Sequence, residues 1–193
     1  MTPLIAFKTV QFAVVLTYVA FISDFRNKGR MAPLIDERFI LSIKACYLLP
    51  IAVHAYTLLL LDGLLAFDLV ALGLSGLGTL IVVRAKSDLG AQHTWAGYRA
   101  DTLKVITRGA YAFVRHPLYV GIYMFGLGIL ATVIPHAPWR LTTIALASEA
   151  YAGVFLAAVA VREDRLMAER CGQEFTEYRR QVHAFLPLRR YRR

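Results

Sequence analysis

Five stretches along this chain are apolar over a length suited to crossing a bilayer, at about 3–23, 39–61, 64–83, 118–134 and 139–161. A spanning helix needs about 20 mostly apolar residues, and polar or turn-forming residues separate the five. Asp62-Gly63 makes a tight turn between the second and third, and Pro135-His136-Ala137-Pro138 one between the fourth and fifth. After the fifth stretch the pattern changes from continuous to periodic. Met167, Cys171, Phe175, Tyr178 and Val182 recur every three or four residues, which predicts an amphipathic helix to about Gln181. Gly172 interrupts that run and marks a bend. The expected fold is an all-α integral membrane protein with five transmembrane helices plus a cytosolic amphipathic C-terminal helix, forming one membrane domain over 1–193.

Composition and charge strengthen this picture. The chain is 58% hydrophobic, above the roughly 45–50% of soluble domains, and its mean hydropathy is +0.51. A net charge of +9 would suit nucleic acid, but its placement points to membrane topology. Segments 24–38, 84–117 and 162–193 hold 4, 6 and 9 of the 22 Lys and Arg residues, leaving Lys8, Lys44 and Arg140 elsewhere. The positive-inside rule then sets these segments in the cytoplasm and the N-terminus outside, with membrane lipids rather than nucleic acid as partner. The basic end Arg189-Arg190-Tyr191-Arg192-Arg193 is suited to anionic headgroups. Cys46 and Cys171 are too few and too far apart for a disulfide framework or a metal site. The first apolar stretch lacks a basic flank and a small-residue cleavage site, so it reads as a mature helix.

Candidate chemistry lies at the two feet of the last hairpin. Arg115-His116-Pro117-Leu118-Tyr119 opens the fourth stretch, and Glu163-Asp164 follows the fifth. A chain that crosses the membrane and returns brings those feet to one depth, so basic, imidazole and carboxylate groups converge. Pro117 suits a first helical turn, and the acids sit where the helix dipole disfavours them. They either pair with Arg115, Arg162 or Arg165, or face a charged ligand. Glu149 stands within the fifth span, where an acid costs about 2.5–3.5 kcal/mol. Fourteen residues before Glu163, it shares that face about 21 Å away. It reads either as a polar contact in an acceptor pocket or as a buried acid bonded to His54 or Tyr56. His54 and Lys44 read as packing and snorkelling groups. Gly73, Gly76, Gly78, Gly121, Gly126 and Gly128 read as close helix contacts.

These residues carry a resemblance. The order Val105, Gly109, Tyr111, Val114-Arg115-His116-Pro117, Tyr119, Gly121 resembles the signature of isoprenylcysteine carboxyl methyltransferases and related small membrane methyltransferases. Asp88-Leu89-Gly90 with Trp95, the Glu163-Asp164 pair, and Gly172-x-Glu174-Phe175 leading to Phe185-Leu186-Pro187 resemble further elements of it, so the likeness covers about 85–193. Asp164 stands where that family has a second Glu. The resemblance implies S-adenosylmethionine as methyl donor, held by Tyr111, Arg115, His116, Pro117, Tyr119, Glu163 and Asp164. It implies a lipophilic acceptor, first a prenylcysteine-like carboxylate; Trp95 and, from its place in the fifth span rather than from the resemblance, Glu149 are candidate acceptor contacts. Arg115 and His116 are the candidate catalytic groups; a carboxylate acceptor needs no base, whereas an amine or hydroxyl would call on His116. Phospholipid amine N-methylation and an NADPH-dependent sterol-type reductase are the alternatives.

Overall fold

A computed structural model describes residues 2–23, 31–90, 96–100 and 104–188. Helices are α1 (Pro3–Ser23), α2 (Glu37–Cys46), α3 (Leu48–Leu60), α4 (Ala66–Leu89), α5 (Pro117–His136) and α6 (Trp139–Gln181). With α2 and α3 taken together as Glu37–Leu60, five helices are long and apolar enough to span a membrane. The second span breaks at Tyr47 because Pro50, three residues on, cannot donate to the Cys46 carbonyl. Helix α6 runs past the fifth apolar stretch into the amphipathic segment and breaks at Gly172, where φ is +56°.

Two departures from expectation concern the segment before α5. Helix α4 continues to Leu89, six residues beyond the apolar run. The buried Lys86 ammonium donates to the Phe21 carbonyl at the end of α1 and makes the extension useful. A short antiparallel ladder also forms, β1 (Met31–Pro33) with β2 (Tyr98–Ala100), so two of the basic segments meet at one end of the bundle. Trp95 and the Arg189–Arg193 tail lie outside the described residues.

The core is built on α4 and α5, whose backbones nearly touch. A β-carbon at Gly78 would lie 2.4 Å from the Phe125 amide nitrogen, one at Gly121 2.8 Å from the Gly78 carbonyl, and one at Gly128 2.4 Å from the Ser75 nitrogen. Lipid gives no hydrophobic drive between helices, so close approach supplies the attraction. Gly126 serves differently, lying against the Glu149 carboxylate of α6. Gly73 and Gly76 have nothing within 4 Å of a β-carbon and are not packing positions. Tyr18 of α1 stacks on Phe125, with ring centroids 3.6 Å apart. Polar groups within this layer pair with one another: the Ser75 hydroxyl donates to Gln11 Oε1 at 3.0 Å, and Gln11 Nε2 lies 3.3 Å from His54 Nε2. Gln11, not Glu149, is therefore the hydrogen-bond partner of His54, and Tyr56 is largely exposed. At the far end, buried Asp68 accepts from Leu65 N–H at 2.7 Å and pairs with His136 at 3.0 Å, fastening the α5–α6 turn to the start of α4.

Gly128→Ala is expected to lower the melting temperature in detergent, at a cost of about 2 kcal/mol from overpacking. Gly76→Ala should raise it by gaining about 1 kcal/mol of helix propensity. Equal effects of the two substitutions would contradict this division of the glycines.

Candidate active site

The site begins with the turn that delivers its first residues. Asp88, in the last turn of α4, accepts from Ala110 N–H at 2.8 Å and from Arg84 Nε at 3.2 Å. Its carboxylate occupies the space a β-carbon of Gly109 would need, and Gly109 has φ +61°. Only glycine suits both demands. The 3-10 turn Gly109–Ala112 leads into Arg115 and His116, and the fully buried Pro117 opens α5. Its missing N–H loses nothing there.

Helix α6 supplies the acids. Arg115 grips Asp164 through two nitrogens, Nη2 at 2.6 Å and Nε at 3.3 Å, and Nη1 donates to the Val182 carbonyl at 2.5 Å. His116 Nε2 lies 3.1 Å from Asp164 Oδ1, and its Nδ1 lies 3.5 Å from Glu163 Oε2. The Tyr119 hydroxyl donates to Glu163 Oε1 at 2.6 Å. One imidazole thus bridges two consecutive carboxylates, each also held by a second side chain. The two acids differ in access: the Asp164 side chain is 13% exposed and committed internally, while that of Glu163 is 27% exposed.

The break at Gly172 turns the end of α6 back over this cluster. Tyr178 donates to the Tyr111 carbonyl at 2.6 Å. Beyond the helix, the His183 and Ala184 carbonyls accept from the backbone N–H groups of Arg115 and His116 at 2.8 and 3.0 Å. Phe185 lies 5.6 Å from the His116 ring. These backbone contacts had no signal in the sequence beyond the glycine bend and the Phe185-Leu186-Pro187 ending.

The cluster walls a cleft of about 950 Å³ including its open mouth. Tyr98, Lys104, Tyr111, Met167 and Phe175 complete the lining. Lys104 and Tyr98 were not singled out from sequence, since neither belongs to a motif. A second cavity, about 550 Å³ including its open mouth, lies between α1, α2, α5 and α6. It is lined by apolar residues and tyrosines, and Leu118 and Tyr119 are walls of both cavities. Glu149 is not brought to the charged cluster.

Residues 71–169 match the isoprenylcysteine carboxyl methyltransferase family. The chain belongs to that family. It is a membrane methyltransferase. A comparison with curated proteins found no match. The matched span contains Asp88, the Arg115-His116-Pro117 motif and both acids of this methyltransferase, and stops short of the Tyr178 and 182–185 cover. It favours the methyltransferase reading over the nicotinamide reductase.

Electrostatics fixes the protonation of the cluster. Burial alone would push the Asp164 carboxyl up, but hydrogen bonds from His116 and Arg115, with their charges, bring it down to about 2. Burial works against a charged His116, yet its hydrogen bonds to Asp164 and Glu163 and their negative charges prevail and raise its pKa. Burial and the neighbouring Glu163 charge keep the Tyr111 phenol neutral.

Linkage gives a pH window. Asp164 contributes stability above its unfolded value of about 3.9 that is lost as pH falls towards 2; His116 contributes below about 6.5, and this is lost as pH rises through its raised value. Thermal unfolding of the detergent-solubilised protein is expected to peak between about pH 4 and 6.5. Asp164→Asn should flatten both flanks and cost about 3 kcal/mol by leaving Arg115 underpaired. An unchanged pH profile in that variant would show the cluster is not the source.

Proposed function

We propose that this protein transfers a methyl group from S-adenosylmethionine to the carboxylate of a lipophilic, membrane-borne acceptor of the prenylcysteine kind. One observation carries the reading: a charged cleft and a more apolar cavity share the wall formed by Leu118 and Tyr119. A water-soluble donor suits the first and a lipid-soluble acceptor the second, so the two would meet beside Tyr119.

The residues present fit such a donor. Glu163 is the accessible acid, able to accept from an ammonium or ribose hydroxyl. Tyr98 and Tyr111 offer aromatic surface to adenine or sulfonium. Lys104 lines the same cleft and is placed to meet a carboxylate; Arg115, committed to Asp164 and Val182, is a positioning residue. S-adenosylmethionine supplies a methyl carbon activated by its sulfonium: an acceptor carboxylate oxygen bonds to that carbon as the carbon–sulfur bond breaks, and the electron pair stays on sulfur. No proton moves in this step, so a base is unnecessary. That agrees with His116, whose two ring nitrogens already face Asp164 and Glu163, a poor position for a general base. An amine acceptor, as in phospholipid methylation, would need the base His116 does not provide. The remaining task for the protein is alignment and exclusion of water. The positive-inside distribution supports a cytoplasmic place for this end of the bundle and an outer N-terminus, with the donor entering from the cytosol and the acceptor from the bilayer.

Calorimetric titration with S-adenosylhomocysteine tests this reading. Saturable binding at one site per chain is expected, weakened at least about tenfold in Glu163→Ala, the loss of one charge-assisted hydrogen bond. Folded protein that binds NADPH and not S-adenosylhomocysteine would overturn it.

A further inference from the structure

The second cavity is not uniformly apolar at its far end. Tyr18 of α1 lines it, is 4% exposed, and lies flat on Phe125 of α5. The next residue, Gly126, carries the Glu149 carboxylate against its backbone; a β-carbon there would sit 2.4 Å from Glu149 Oε2. Glu149 is one turn before Ala152 on α6, and Gly126 one turn after Ile122 on α5; both Ala152 and Ile122 line the cavity. Tyr18 therefore lines the cavity's membrane-ward end, and Glu149, packed on Gly126, stands one turn beyond that end rather than among its lining residues. Among the described residues, neither the Tyr18 hydroxyl nor the Glu149 carboxyl has a hydrogen-bond partner. Gln11 and Ser75 in the same layer satisfy each other, and the other two tyrosines that line the cavity, Tyr47 and Tyr119, are bonded to Ser23 and Glu163. The unpaired His54 Nδ1 and Thr132 Oγ1 are sealed within helix packing and line neither cavity.

A phenol at the end of a cavity and a carboxyl one turn beyond it, both unpaired in the bilayer interior, are costly unless something joins them. A hydroxyl matches both at once, donating to the carboxylate and accepting from the phenol. Along α5 this end lies about 10 Å from Tyr119, seven residues at roughly 1.5 Å each. We infer that Tyr18 and Glu149 are specificity-determining residues that bind a hydroxyl at the end of the acceptor remote from the methylated carboxylate. The acceptor's lipophilic tail then ends in a hydroxyl rather than in plain hydrocarbon. This rests on the proposed methyl transfer and names the acceptor class more narrowly.

Two synthetic acceptors test it: S-decyl thioglycolic acid and its ω-hydroxydecyl counterpart, each assayed for methyl ester formation with S-adenosylmethionine. The wild type should favour the ω-hydroxy compound by about tenfold in kcat/KM, the worth of about one hydrogen bond. Tyr18→Phe and Glu149→Met should each bring that ratio close to one through KM. S-adenosylhomocysteine binding by the variants shows that they are folded; Glu149→Gln, which keeps a hydrogen-bonding group, should retain part of the preference. No wild-type preference, a preference that survives in both variants, or a stronger preference for an ω-amino analogue would overturn the inference while leaving methyl transfer intact. Failure to esterify either acceptor, together with no S-adenosylhomocysteine binding, would instead count against the proposed function beneath it.

Discussion

Arg115 and Asp164 hold this molecule's chemistry together. Their contact joins the start of α5 to the point where α6 leaves the apolar layer, and every other polar contact of the site is arranged around it. Charges this enclosed are expensive to desolvate, and their mutual attraction offsets the cost only when the remaining donors and acceptors are filled. Here they are: His116 takes the second oxygen of Asp164, the Val182 carbonyl takes a further guanidinium proton, and Glu163 with Tyr119 closes the other side of the imidazole. The outcome is a rigid frame in which Glu163 is the more exposed of the two carboxylates that line the cleft. Asp in place of a second Glu fits this division, because the shorter side chain is the one turned inward to Arg115.

Much of the fold was legible because lipid imposes a simple rule on sequence. A span must be apolar and helical along its whole length, so the five stretches were located to within a few residues. The α4 extension escaped that logic. Its last turn is polar, stabilised by Lys86 on the α1 carbonyl end and by Asp88 beneath the following turn, and neither contact has a hydropathy signature. The glycines show a related limit. Sequence marks six small residues, but only backbone coordinates separate Gly78, Gly121 and Gly128, which lie at a helix crossing, from Gly73 and Gly76, which do not.

The site divides in the same way. Convergence of the Arg115-His116 motif with Glu163-Asp164 follows from hairpin topology and was readable in advance. The unequal roles of the two acids were not, since adjacent carboxylates look alike until one is seen gripped by a guanidinium. Nor could the backbone carbonyls of residues 182–184 be read, because any residue type offers one. Glu149 was visible as an anomaly. Its neighbour Gly126 belongs to another helix, and no local pattern connects the two.

The return of residues 182–184 onto Arg115 and His116 also sets an order on biogenesis. These carbonyls belong to chain made after all five spans, so the motif at the head of α5 is synthesised before the partners of its backbone donors exist. The cleft acquires its last wall only when translation has passed the final helix and the segment beyond Gly172 has folded back. A nascent chain therefore reaches the membrane before it has a finished active site, and completion of the bundle is the event that finishes it.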